Sequence, residues 1–220
     1  GCQPSLLDAT PTVYADGYRL DAVDIHGTIS LTGRRASLRL HSPAPLRDLE
    51  YFLRVVFAVW AYHEGGLLVH GAALIVGDRA HLFIGQSGSG KSTVVALSPH
   101  AAALGDDLVL LRKSAGSWTV YGTPFWNWQA GDRNAQTRSA SLRGIYKLVQ
   151  SPDIALAPMS TAAATAELVA NCPVVNNIDT LLADLLAVCR RLASDVPVKS
   201  LLFRKDAGFW RLLEPEEAIP

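Results

Sequence analysis

The stretch LFIGQSGSGKSTVVAL, residues 82–97, decides the fold of this 220-residue chain. It starts with apolar residues typical of a buried strand, continues as a loop of glycine and serine, and ends in a short apolar run typical of a helix. Gly85, four further residues, Gly90, Lys91 and Ser92 match the phosphate-binding loop (P-loop) motif in its required strand–loop–helix context. The stretch therefore predicts an α/β fold with a nucleotide-binding loop.

The composition of this loop has a physical reason. Backbone N–H groups can surround a triphosphate only where no Cβ blocks the approach, which explains the recurrent glycine. Lys91 can reach the β- and γ-phosphates, Ser92 can complete the coordination of Mg²⁺, and the helix that follows adds its positive end. We therefore predict that ATP and Mg²⁺ bind here. The predicted nucleotide-binding residues are Gly85, Gln86, Ser87, Gly88, Ser89, Gly90, Lys91, Ser92 and Thr93.

Two adjacent carboxylates, Asp106 and Asp107, follow in AALGDDLVLL, at the end of a predicted strand. Successive side chains of an extended backbone point in opposite directions, so one carboxylate can hold Mg²⁺ with Ser92 while the other faces a nucleophile. Phosphoryl transfer needs this division between a metal ligand and a group that takes the acceptor's proton. From the residues alone, a polar turn with two solvated aspartates remains an alternative.

His70 lies in LLVHGAALIV, on the strand predicted to pair with the strand that enters the glycine loop. A single histidine on an apolar strand is more often a packed core residue than a catalytic one. Both interpretations of His70 therefore stay open on the residues alone.

The segments VHGAALIV, IGQSGSGKS and LGDDLVLL, in this order, resemble the catalytic domain of HPr kinase/phosphorylase and its small stand-alone relatives. The resemblance covers about residues 67–113 and continues weakly through SLRGIYKLV. It implies a mixed α/β fold with the P-loop core shared with phosphoenolpyruvate carboxykinases. It also implies phosphorylation of a serine hydroxyl on a peptide or small protein.

The resemblance also implies roles for individual residues. Lys91 would contact phosphate, Ser92 and Asp106 would hold Mg²⁺, Asp107 would be the catalytic base, and His70 would support Asp107. Separately, an arginine in or after the polar region that follows Asn127 could stabilise charge on the transferred phosphoryl group. The candidates are Arg133, Arg138 and Arg143, and we take Arg143 as the catalytic one.

The rest of the pattern predicts an N-terminal unit, residues 1–66, and a P-loop kinase core, residues 67–220. Short alternating runs predict an antiparallel β-meander, and apolar residues at helical spacing predict a helix from Pro45 to Gly65. In the core we expect a loop over 127–141, a long helix after Ile178, and two closing strands, VPVKSLLF and FWRLL. The helical spacing in the N-terminal unit involves Leu46, Leu49, Leu53, Phe57 and Trp60.

The composition limits partners and compartment. Lys plus Arg equals Asp plus Glu, 20 each, which argues against general binding to nucleic acid or to an anionic membrane surface. The three cysteines, Cys2, Cys172 and Cys189, form no CxxC pair, which indicates reduced thiols and no zinc site. We expect a cytoplasmic protein that binds neither nucleic acid nor membrane, and a homo-oligomer is compatible with the sequence.

Three functions are compatible with these features. The first is a Mg-ATP-dependent kinase of the HPr-kinase type that acts on a hydroxyl, preferably of serine, in a peptide or small protein. The second is a nucleotide-binding regulatory protein without transfer, and the third is a small-molecule kinase. The pair Asp106 and Asp107 favours transfer over pure binding, because binding alone requires no base.

Overall fold

The computed structural model describes residues 10–22, 25–41, 44–125 and 138–214. Its N-terminal part is a four-stranded antiparallel sheet in the order β1-β2-β3-β4, followed by a helix. The predicted β-meander and helix are thus confirmed. The bounds are β1 Thr12–Tyr14, β2 Gly17–Ala22, β3 Ile25–Ser30, β4 Arg35–Leu40 and α1 Pro45–His63.

A mixed eight-stranded sheet with helices forms the remainder of the chain, which confirms the predicted α/β class. Its first strands are β5 Gly66–Val76, β6 Arg79–Ile84, β7 Ala102–Gly105, β8 Leu108–Ser114 and β9 Ser117–Tyr121. The later strands are β10 Ser139–Gln150, β11 Ala155–Pro158 and β12 Val198–Phe203. The helices are α2 Lys91–Ala96, α3 Thr161–Ala170, α4 Leu182–Asp195 and α5 Trp210–Leu213.

The strand order of the large sheet is β11-β12-β10-β6-β5-β8-β9, and β7 pairs with the second half of β5. Strand β10 runs parallel to both β6 and β12, whereas the other pairings of this sheet are antiparallel. The start of β10 also pairs with β9, so β10, β6, β5, β8 and β9 form a closed ring of pairings. The long strand β5 lies in the middle of this arrangement.

Helices cover both faces of the large sheet. On one face, α1, α3 and α4 pack over a core that also contains Tyr18 and Leu20 of the N-terminal sheet. On the opposite face, α2 and α5 pack over a second core. Strand β6 alternates accordingly, because Leu82 and Ile84 belong to the first core and Phe83 to the second. The N-terminal part therefore shares its core with the large sheet, while the division of the chain at residue 66 stays a prediction.

Helix α1 begins at Pro45, whose fixed φ suits the first helical position, and ends before Gly65, whose φ is +78°. The leucines whose spacing predicts this helix do not form its buried face, since Leu46 is 80% and Leu53 48% exposed. Branched and small side chains face the sheet instead, which lets the helix approach β5 closely. The buried apolar residues of α1 are Phe52, Val55, Val56, Ala58 and Val59.

Two expectations for the second half of the chain are wrong. The segment FWRLL is not a strand, because Asp206 accepts a hydrogen bond from the Gly208 N–H at 2.6 Å and starts a 3₁₀ turn, Ala207–Phe209, that leads into α5. This turn buries Phe209 and Trp210 in the second core. Residues 127–137 of the expected loop over 127–141 lie outside the described residues. Residues 139–141 are not a loop, because β10 begins at Ser139.

Within the described residues, no helix is both long and apolar enough to cross a membrane.

The buried ring of His81 produces a pH-dependent contribution to stability. His81 is 0% exposed, stacks on Tyr146 and has its Nε2 2.7 Å from Oε1 of Glu214. Burial lowers the pKa of His81, Glu214 opposes this effect, and the positive charges of Arg143 and Arg79 add to it. Since the unfolded chain takes up this proton near pH 6.5 and the folded chain does not, stability is present above that pH and falls below it.

We therefore expect His81→Phe, which keeps an aromatic ring against Tyr146, to reduce the decline in the free energy of unfolding between about pH 7.5 and pH 5.5. The difference between the two slopes should not exceed about 1.4 kcal/mol per pH unit, the limit for one proton. Urea denaturation at several pH values measures both slopes. An equal or steeper decline in the variant would contradict this role of His81.

Candidate functional site

The register of strand β5 brings the predicted groups to one edge of the large sheet. Gly71 pairs with Ile84, the last residue of β6 before the glycine loop. On its other side, β5 pairs His70 with Leu108, and the Gly71 N–H donates to the Asp107 carbonyl at 2.9 Å. The glycine loop and the paired acids, which are far apart in the sequence, therefore lie on either side of His70.

The glycine loop requires glycine at defined positions. Gly88 and Gly90 have φ of +78° and +111°, a region that side chains with a Cβ rarely adopt. A Cβ at Gly90 would lie 2.5 Å from Cζ of Phe203, and one at Gly85 would lie 2.8 Å from Oγ of Ser89. The loop therefore packs against Phe203 at its Gly90 end and against its own Ser89 at its Gly85 end, whereas its tip at Gly88 is open.

Lys91, the first residue of α2, points back into this loop. Its Nζ donates hydrogen bonds to the carbonyl oxygens of Gly85 at 2.7 Å and of Gln86 at 3.2 Å. The residue is only 8% exposed. Burial lowers the pKa of Lys91, and the nearby negative charge of Asp107 opposes this effect. The ammonium group thus lies between the backbone of the loop and the acidic side of the site.

A cleft of about 400 Å³ opens over the loop. The side chain of Gln150 donates to the Gly88 carbonyl at 2.8 Å, and Lys147 forms an ion pair with Glu167 of α3. The hydroxyl oxygen of Ser89 is buried and has no hydrogen-bond partner among the described residues. The cleft is lined by Gly85, Gln86, Ser87, Gly88, Ser89, Lys147, Leu148, Gln150 and Glu167.

The side chain of Asp107 contacts two basic groups. Its Oδ2 accepts a hydrogen bond from Nη1 of Arg54, and its Oδ1 lies 3.6 Å from Nε2 of His70, slightly too far for a hydrogen bond. The side chain of Asp107 is 11% exposed and that of His70 36%. Burial lowers the pKa of His70, the positive charges of Lys91 and Arg54 add to this, and Asp107 opposes it. His70 is therefore a neutral imidazole at neutral pH.

The remaining predicted residues occupy different positions. Ser92 and Thr93 lie in the first turn of α2, with Ser92 exposed, and Asp106 is 3% exposed in the connection between β7 and β8. Arg143 lies at the irregularity near the start of β10, beside His81 at the far end of β6. Because β6 and β10 are parallel, this position is at the opposite end of the strand from the glycine loop. The structure thus does not bring Arg143 to the site.

Arg138 precedes β10, where its carbonyl accepts from the Gly122 N–H, and Arg133 lies outside the described residues. The basic groups that do surround the loop and Asp107 are Lys147 and Arg54, which sequence reasoning missed. Lys147 lies opposite Ile84 on the strand parallel to β6, and this parallel pairing cannot be predicted from the sequence near Lys147. Arg54 has only the i, i+4 spacing to Glu50, which predicts a helix-surface ion pair.

The residues present fit a nucleotide phosphate and Mg²⁺. The cleft offers an open glycine tip, a Ser89 hydroxyl without a partner among the described residues and the ammonium group of Lys147, all of which suit a phosphate. The ammonium group of Lys91 lies on the carbonyls of two cleft residues, Gly85 and Gln86. Ser92 and Asp106 offer the hard oxygen donors that Mg²⁺ prefers, and Mg²⁺ on a nucleotide needs only one or two protein ligands. Among the described residues, no three His, Cys, Asp or Glu side chains form a metal cluster.

Comparison with known proteins gives a distant structural similarity. No family model matches this chain, and no curated protein matches it. Among solved structures, the Hpr(Ser) kinase/phosphatase from Coxiella burnetii is similar with a TM-score of 0.34 and 12% sequence identity. The match covers 62% of this chain and 84% of that one.

The packing of the loop leads to a prediction about Gly90. We expect Gly90→Ala to lower the free energy of unfolding by about 1–3 kcal/mol more than Gly77→Ala, because the new Cβ meets the buried ring of Phe203. Gly77 is a matched control, since its φ of +61° is also positive but nothing lies within 4 Å of its Cβ position. Urea denaturation measures both variants. Equal losses would show that Phe203 moves aside.

Proposed function

We propose that this chain is a Mg-ATP-dependent phosphotransferase that moves the γ-phosphoryl group to the hydroxyl of a serine in a peptide or small protein. The observation that carries the proposal is the register of β5, which places the glycine loop with Lys91 on one side of His70 and Asp107 on the other. Transfer requires a phosphate cradle and a carboxylate base at the same edge of the sheet. The motif resemblance supports the same reaction.

In this proposal the residues of the loop hold the triphosphate. The N–H groups of the loop and the Ser89 hydroxyl donate hydrogen bonds to phosphate oxygens. Lys91 exchanges its bonds to the Gly85 and Gln86 carbonyls for phosphate oxygens, at little cost because both sets of partners are acceptors. Mg²⁺, held by Ser92 and Asp106, would neutralise charge that develops on the phosphoryl oxygens.

Asp107 takes the proton of the acceptor. The serine oxygen forms a bond to the γ-phosphorus, the bond from this phosphorus to the bridging oxygen of ADP breaks, and the hydroxyl proton passes to Oδ1 of Asp107. Oδ1 is the suitable oxygen because Oδ2 is already bound to Arg54. The neutral imidazole of His70, 3.6 Å from Oδ1, packs beside this oxygen without adding a second positive charge. Products are ADP and a phosphoserine.

This proposal predicts that Asp107→Asn lowers phosphoryl transfer by about 10²–10⁴-fold, the usual contribution of a general base, while ATP still binds. Incubation with γ-labelled ATP and a panel of serine peptides measures transfer, and calorimetry measures ATP affinity. Asp78→Asn is the matched control, since the Asp78 side chain is 95% exposed in the β5–β6 turn, at the opposite end of these strands.

The same experiment separates the alternatives. If the wild-type protein binds ATP but transfers no phosphoryl group to peptides or small molecules, the proposal is contradicted. A nucleotide-binding regulatory protein is then the remaining alternative. Transfer to small alcohols but to no peptide would indicate a small-molecule kinase.

A further inference from the structure

An arginine of the N-terminal helix reaches Asp107 across 53 residues of sequence. Besides its bond to Oδ2 of Asp107, Arg54 donates from Nη2 and Nε to Oε1 of Glu50 at 2.9 and 3.3 Å. Its guanidinium carbon lies 5.1 Å from the centre of the Phe125 ring, and that ring packs edge-on against Phe57 at 5.6 Å. Two carboxylates and an aromatic face therefore fix the guanidinium in one orientation.

The burial of this contact separates it from an ordinary surface ion pair. The side chains are 21% exposed for Arg54 and 11% for Asp107, so solvent screens their charges only in part. By contrast, Arg34 and Glu64, which pair at 2.6 Å, are 75% and 58% exposed. Loss of one partner from a poorly solvated pair leaves an uncompensated charge, which is costly. The Arg54–Asp107 contact thus constrains the carboxylate. The exposed Arg34–Glu64 contact, at the C-terminal end of α1, serves as a comparison.

We infer that Arg54 is a positioning residue for the transfer reaction: it holds Oδ2 of Asp107 so that Oδ1 faces the acceptor hydroxyl. This inference rests on the proposed function. It makes helix α1 a part of the site, since Glu50, Arg54 and Asp107 form one hydrogen-bonded series from that helix to the β7–β8 connection. A carboxylate bonded through one oxygen cannot rotate freely, and small displacements of a reacting group have large effects on rate.

The charge of Arg54 has a second consequence. The same positive charge disfavours protonation of His70, on which it acts together with burial and Lys91. Arg54 therefore acts both on the carboxylate that would receive the acceptor's proton and on the imidazole beside it.

The test compares Arg54→Gln with Arg54→Lys and with the control Arg34→Gln. We expect Arg54→Gln to lower kcat about 10- to 100-fold with little change in ATP affinity. Arg54→Lys should recover only part of kcat, because it keeps the charge but lacks the planar set of donors that contacts Asp107 and Glu50 together. Arg34→Gln should match the wild type. A wild-type kcat in Arg54→Gln would overturn the inference.

A second measurement separates this inference from the proposed function. The pKa of His70, followed by NMR and assigned with His70→Asn, should rise in Arg54→Gln because a nearby positive charge is lost. This readout needs no transfer. If the wild-type protein transfers no phosphoryl group, the proposed function is overturned. The titration of His70 then still tests Arg54. A raised pKa of His70 in Arg54→Gln supports the position of Arg54 beside Asp107 and His70, and an unchanged pKa overturns it.

Discussion

The backbone pairing of strand β5 is the constraint on which the site depends. On one side β5 pairs with β6 as far as Gly71 and Ile84, and the chain then leaves the sheet as the glycine loop. On the other side the Gly71 N–H is bonded to the Asp107 carbonyl. The amide of His70 donates to the carbonyl of Asn171, at the end of α3, at 2.7 Å. The neighbouring residues His70 and Gly71 of β5 thus fix the glycine loop, the paired acids and the end of α3 relative to each other.

The side chains at this edge form a balanced set of charges. Asp107 lies between Arg54 and His70, and its charge also acts on Lys91, which is bonded to the loop carbonyls. Burial alone disfavours the charged forms of both Lys91 and His70, and Asp107 opposes this for each of them. The carboxylate is therefore the group through which α1, β5 and α2 are coupled electrostatically.

Local sequence patterns predict those features near the site that depend on residues close together in the chain. A two-residue turn at Gly77 and Asp78 joins β5 and β6, and such a turn fixes the register that sets His70 near the glycine loop. Local patterns also indicated α1, although its exposed leucines concealed which face is buried. The contact of Arg54 with Asp107 and the place of Arg143 depend on how distant elements pack and on which strands are parallel. No local sequence pattern indicates either property. Which side chains lie next to Asp106 and Asp107 in space follows only from the fold.

A crystal structure of this chain with Mg²⁺ and a non-hydrolysable ATP analogue would show directly whether the glycine loop and Asp107 face the same phosphate. We expect the triphosphate to lie in the cradle of residues 85–92, with the terminal phosphate bonded to Nζ of Lys91 and facing Oδ1 of Asp107, while Oδ2 stays bonded to Arg54. A triphosphate bound elsewhere, or a terminal phosphate turned away from Asp107, would contradict this expectation.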